Sequence, residues 1–219
     1  MKRLIIAISS LIMLSATNSM SMDLSPSVGI SGSSGVFAAT GTENNFNEAG
    51  TAIDETTKEH GAFQADMASV FVELGVNDVL SFGVDYVINT LETPQNVARE
   101  DGGTNANLVK AEFEDLTTVY AKLNVPLGGT YLKVGYAQVD VISIENLDSG
   151  NSHGNDKSTG IVAGIGYDHE LAGGVAIRAE LTGMDMSDVT SNNGQTNKTE
   201  IKVQDMIGAR GTISLVKSF

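Results

Sequence analysis

The sequence has no cysteine and no tryptophan, only three prolines among 219 residues, and half as many basic residues (13 Lys+Arg) as acidic ones (27 Asp+Glu). Each shortage excludes something. Without cysteine there is no disulfide framework, no thiolate-ligated zinc or iron–sulfur centre and no lipid-anchoring cysteine. With a formal charge of −14 the chain lacks the basic surface that nucleic-acid binding requires. Long apolar runs are also scarce. The only one is Leu4 to Leu14, shorter than the ~20 residues of a membrane-spanning helix. What remains, 41% hydrophobic residues and 24 glycines, suffices for a folded chain and argues against general disorder.

The one apolar run is an address. Met1-Lys2-Arg3 forms a basic head, the apolar stretch follows, and Ala16, Ser19 and Ser21 offer small residues for cleavage. We expect residues 1–21 to be a signal peptide, cleaved between 16 and 22, and residues 22–219 to be one domain. Loss of Lys2 and Arg3 leaves 11 basic against 27 acidic residues, or −16. Export without disulfides points to a bacterial envelope.

After the leader the dominant pattern is period two. In 79–90 the even positions Leu80, Phe82, Val84, Tyr86 and Ile88 are apolar, with Ser81, Gly83, Asp85 and Asn89 among the residues between them. That is a strand with one apolar face. The same reading gives strands near 26–40, 62–74, 111–126, 130–142, 159–169, 175–186 and 199–219, eight in all. Three connections are tight turns: Gly75-Val76-Asn77-Asp78, Pro126-Leu127-Gly128-Gly129 and Leu171-Ala172-Gly173-Gly174. The other four, near 41–61, 90–110, 143–158 and 187–198, are long and polar. Long and short alternate strictly, so antiparallel neighbours would put all short turns at one end and all long loops at the other. A transmembrane β-barrel with short periplasmic turns and long extracellular loops has this asymmetry. A weak repeat, Tyr120 to Tyr136 against Tyr167 to Leu181, each running strand, Leu, Gly-Gly, strand, suits an up-and-down meander.

The chain ends Thr212-Ile-Ser-Leu-Val-Lys-Ser-Phe219, with Ile207, Ala209, Ile213, Leu215 and the terminal Phe219 on one face. Ile213, Leu215 and Phe219 resemble the recognition signal read by the outer-membrane insertion machinery of Gram-negative bacteria; Lys217, where an apolar residue is usual, departs from it. Over essentially the whole mature chain the pattern resembles the small eight-stranded barrels of the OmpA-domain, OmpX and opacity-protein kind, most clearly in 119–136. The resemblance implies an all-β, eight-stranded antiparallel up-and-down barrel in the cell outer membrane. Its partners would be outer-membrane lipids, lipopolysaccharide and the insertion machinery, and it would be a monomer.

Taking the apolar faces as lipid-facing, Phe71, Phe82 and Tyr167, with Phe219, fall near the short-turn end and Phe37, Phe63 and Phe113 near the long-loop end, as two aromatic girdles. The opposite faces carry Asp66, Asp85, Lys122, Lys133, Arg178, Glu180 and Arg210 in mid-strand. A basic side chain at the bilayer midplane costs ~2–4 kcal/mol and an acidic one less, so these seven are expected in the lumen. Eight strands enclose only enough room for their own side chains, which predicts a salt-bridged plug, with Gly160, Gly164 and Gly166 leaving space for the long ones. The long loops hold much of the acidity, a net −4 over 41–61, and read as a solvated outer face; no calcium-loop spacing occurs. His60, His153 and His169 are the only histidines and G-x-S-x-G is absent, so neither catalysis nor a metal or cofactor is expected. The expected role is structural or surface interaction with a closed lumen. The alternatives are a narrow porin-like channel for small solutes or ions and a soluble periplasmic ligand-binding barrel.

Overall fold

The computed structural model describes residues 24–98, 107–146, 153–193 and 199–219; the expected signal peptide lies outside the described residues. Eleven strands form one antiparallel sheet: β1 (Ser25–Phe46), β2 (Ile53–Gly75), β3 (Leu80–Val87), β4 (Leu91–Glu92), β5 (Asn96–Ala98), β6 (Asn107–Asn124), β7 (Thr130–Asn146), β8 (Asp156–Glu170), β9 (Val175–Met186), β10 (Val189–Asn192) and β11 (Thr199–Ser218). Neighbours follow the order β1-β2-β3-β6-β7-β8-β9-β11, and β11 pairs back onto β1 from Ser27↔Ser218 to Asn45↔Thr199. The sheet is therefore a closed eight-stranded barrel. The short β4 and β5 extend the wall along β6, and β10 runs beside β11. Closure leaves no long edge through the central wall, the condition for exposing a sheet to lipid.

The short turns form where the composition asks for them. Gly128 and Gly129 (φ 52° and 87°) and Gly173 and Gly174 (φ 74° and 71°) take left-handed conformations that the tight hairpins need. In the turn after β2, the Asn77 side-chain oxygen accepts the N–H groups of Val79 and Leu80 at 2.9 and 2.8 Å. The terminal Phe219 N–H bonds the Pro26 carbonyl at 3.0 Å, tying the two chain ends of the barrel at the short-turn end.

The outer surface is an apolar band. On the β3 segment it runs through Phe82 and Ile88, 49% and 60% exposed, and on β9 through Ile177 and Leu181. Its upper limit is drawn by a ring of outward charges, Asp66, Asp115, Asp140, Lys157, Asp185 and Asp205, one on each of several strands. Two of these, Asp115 and Asp205, have positive φ (54° and 52°) and sit at irregularities in the β6–β7 and β1–β11 registers. Each such bulge switches which alternate residues point inward, so that Leu116 and Phe113, three apart, share the inner face.

Candidate functional site

The lumen is divided into two storeys. Following inward positions from the short-turn end, four strands change character at one step: Ser69 to Met67 on β2, Asp85 to Val87 on β3, Thr118 to Leu116 on β6, Thr182 to Met184 on β9. Below the step the interior is mainly charged and hydroxylated; just above it the buried side chains are mainly apolar.

The lower storey is built around Arg178, only 4% exposed. Its guanidinium pairs with both oxygens of Glu73, through Nη1 and, at 3.3 Å, through Nη2, and with Asp168, to which Nε donates at 2.7 Å and Nη2 at 3.0 Å. Lys122 Nζ adds a second cation, 2.8 Å from Asp168 and 3.3 Å from Glu73. Tyr120 donates its hydroxyl to Glu73 at 3.0 Å. One level on, Glu180 accepts from Lys133 at 2.9 Å and from the Tyr131 hydroxyl at 2.8 Å. The rings also face cations: Lys133 lies 4.1 Å from the Tyr120 centroid, and Arg178 lies 5.1 Å from those of Phe71 and Tyr131. These rings fit because a glycine on the neighbouring strand gives way. A Cβ at Gly166 would stand 2.2 Å from the Tyr131 ring, one at Gly83 2.4 Å from Tyr120, and one at Gly29 2.2 Å from Phe71. Overpacking of this kind costs about 1–3 kcal/mol or more. Gly166→Val is accordingly expected to lower the urea midpoint of the refolded barrel, read by loss of the compact band on an unheated gel. An unchanged midpoint would show that the ring has room elsewhere.

The structure thus brings together Lys122, Lys133, Arg178 and Glu180, with Asp85 and Arg210 one level higher, 3.7 Å apart. Glu73 and Asp168 belong to the same network, and the sequence reading passed over both. Glu73 was legible by parity, since it stands two residues from Phe71 and four from Ser69 on the inner face. Asp168 was legible in the same way, since it shares the parity of Gly160, Gly164 and Gly166 on β8, opposite to the outward Tyr167.

Two corrections follow from the same parity. Asp66 is not in the lumen: Met67 and Ser69 are the buried residues of β2, so Asp66 points outward and belongs to the charged ring above the apolar band. Phe71, Phe37, Phe63 and Phe113 are not a lipid-facing girdle. Phe71 is 5% exposed and lies under Arg178. The other three stack inside the upper storey, Phe37 on Phe63 at 5.4 Å and Phe63 on Phe113 at 5.9 Å between centroids. Burying three rings against one another removes more apolar surface from water than a mouth-level position on the outside could. Phe82, Tyr167 and Phe219 do face outward, 49%, 46% and 74% exposed, as do Ile213 and Leu215.

The upper storey is a small apolar cavity of roughly 70 Å³, open at its mouth and bounded by Phe37, Phe63, Phe113, Leu116, Val139 and Met184. Beside it the wall changes. The β2–β3 ladder ends where the Asn89 carboxamide accepts the Ala68 N–H at 2.8 Å and donates to the Asp66 carbonyl at 3.1 Å. Beyond that point, among the described residues, β2 is laddered to β1 alone, and Phe63 meets Phe113 of β6 past the end of β3. The histidines lie apart from one another: His60 Nδ1 is 3.0 Å from Thr40 Oγ1, His153 Nδ1 is 3.2 Å from Glu145 Oε1, and His169 is on β8 near the short-turn end.

Comparison with known proteins gives one family and one fold. Residues 6–204 match the family model described as an outer membrane protein beta-barrel domain. No curated protein sequence matches. Among solved structures, the outer membrane protein OprG from Pseudomonas aeruginosa superposes with a TM-score of 0.58 at 13% identity, over 88% of this chain and 95% of that one. The solid-state NMR structure of AlkL in lipid bilayers gives 0.47 at 11% identity, over 93% and 94%. The likeness to OprG shows the fold.

Proposed function

The chain belongs to the outer membrane protein β-barrel family and lies in the cell outer membrane, and from that premise we propose that it is a sealed barrel whose activity is exercised at its outer surface. The observation that carries this reading is the Glu73–Arg178–Asp168–Lys122 cluster, whose four ionic side chains are linked across the lumen from three different parts of the wall. A water-filled pore needs a continuous hydrated path. Here Tyr131 is 0% exposed, and Glu73 and Arg178 are 3% and 4% exposed.

The outer end fits a surface role. From Asp66, β2 continues to Ile53, roughly 40 Å of extended chain along the strand, paired with β1 as a projecting hairpin. Its acidic side chains suit a solvated outer face. In this reading lipopolysaccharide surrounds the barrel, the insertion machinery reads Ile213, Leu215 and Phe219, the barrel acts as a monomer, and it catalyses nothing.

Planar-bilayer recording tests the seal. The refolded protein is expected to give no stable open level, at most brief flickers. A large, steady conductance would replace this reading with the narrow porin-like channel.

A further inference from the structure

Above the charged ring, β2 has one edge bonded and one edge bare. In a strand the N–H and C=O of a residue point to the same side, and successive residues point to opposite sides. Three bonds fix which residues of β2 point away from β1. The Ile88 N–H donates to the Ala68 carbonyl at 2.9 Å, and the Asn89 carboxamide accepts the Ala68 N–H and donates to the Asp66 carbonyl. The β1–β2 register runs without a shift from Ala68 to Glu55, so the alternation carries on upward. Thr56, Lys58, His60, Ala62 and Gln64 therefore turn both backbone groups to the bare side, and among the described residues nothing pairs with them there. All five are exposed.

Exposed sheet edges are usually blunted by proline, by a bulge or by a covering strand. On the far side of the gap in the wall the edge of β6 is covered, by β4 at Leu91↔Phe113 and Glu92↔Glu112 and by β5 from Asn96↔Val109 to Ala98↔Asn107. Between Thr56 and Gln64, β2 has no proline, no bulge and, among the described residues, no covering strand. That stretch is roughly 30 Å long, enough to pair a strand of about nine residues. The charge selects the occupant. Residues 41–61 carry a net −4, and on this part of β2 Asp54, Glu55 and Glu59 stand against Lys58. A second copy pairing edge to edge would bring these acids against themselves, and like charges facing across a strand pair are destabilising. A cationic strand gains from both the ladder and the charge.

We propose that the Thr56–Gln64 edge of β2 is a docking site for an extended, lysine- or arginine-rich peptide segment, which adds a strand to the projecting hairpin on the outer side of the membrane. The ladder supplies hydrogen bonds whatever the side chains of the peptide, and the acidic hairpin supplies the preference for cationic strands. The site names a partner for the outer-surface role proposed above and rests on that reading. Ala62 is the diagnostic position. Its N–H points to the bare edge, so proline there removes a docking donor and leaves the bonds to β1 in place.

The test uses the full barrel in phosphatidylcholine nanodiscs, which offer a cationic peptide no anionic lipid. Amide hydrogen exchange is followed by NMR with and without a decapeptide of alternating lysine and threonine. Without peptide, the N–H groups of Thr56, Lys58, His60, Ala62 and Gln64 are expected to exchange fast; with it they should slow saturably. The same peptide N-methylated at every residue keeps its charge and loses its donors, and should bind about tenfold more weakly, the worth of one or two hydrogen bonds, or worse. A peptide alternating glutamate and threonine should bind more weakly than the lysine one. Ala62→Pro should weaken the lysine peptide by about tenfold while the barrel still shows its compact unheated band. If that variant does not refold, the three-peptide comparison on the native chain decides. Slow exchange of the five amides before peptide is added, absence of saturable slowing, equal binding of the N-methylated or glutamate peptide, or unchanged binding to refolded Ala62→Pro would each overturn the site. A steady conductance in bilayers would instead overturn the seal, so the two failures are told apart.

Discussion

Replacing Arg178 with methionine is expected to lower the stability of the refolded barrel by about 3–5 kcal/mol, the usual cost of removing one partner from a buried ionic pair. Methionine fills much of the same space, so the loss is not chiefly a cavity. It arises because Glu73, 3% exposed, and Asp168 then share Lys122 alone, and one negative charge is stranded in the lumen. Urea titration in lipid vesicles, followed by the mobility shift between heated and unheated samples, reads the change as a lower midpoint. Adding Glu73→Gln to Arg178→Met should recover part of the loss, because it removes the stranded charge; the pair would be non-additive. An unchanged midpoint for the single variant would mean that the cluster is hydrated and contributes no closure.

Leu181→Arg is expected to cost about 2–4 kcal/mol for a different reason. Leu181 is 61% exposed on β9, between Ile177 and the charged ring at Asp185, near the middle of the apolar band. In water an arginine there would be harmless. In the bilayer core its guanidinium has no partner and must distort the membrane to reach one. The same substitution at Asp185, at the edge of the band, should be close to neutral. Equal effects at the two positions in vesicles would place the membrane at another height on the barrel.

Much of this was readable before any coordinates. Period-two alternation located all eight wall strands, and the glycine-rich turns placed their joints, because a half-buried strand must alternate and a two-residue hairpin needs positive φ. The strands prove longer than the alternation suggested, β1 and β2 above all: 22 and 23 residues. Past the membrane both faces of a hairpin meet water, so alternation fades while backbone pairing continues. The same limit explains the misplaced rings. Alternation points an apolar residue at lipid only where the inner face is polar, and the upper lumen is largely apolar on the inside, so hydrophobicity there no longer reports direction. For Phe71, parity with Ser69 and Glu73 contained the answer. For Phe113 it did not, since the positive-φ Asp115 shifts the register by a residue that no composition reveals.

The sequence by itself determined the barrel, its orientation of short turns and long loops, and which residue types could face lipid, because those follow from local backbone chemistry and a period of two. Only the tertiary structure decided which inward charges meet. Arg178 and Glu73 are 105 residues apart and stand on strands that are not neighbours. Their contact depends on the stagger of a closed sheet, a property of all eight strands together and of no segment alone.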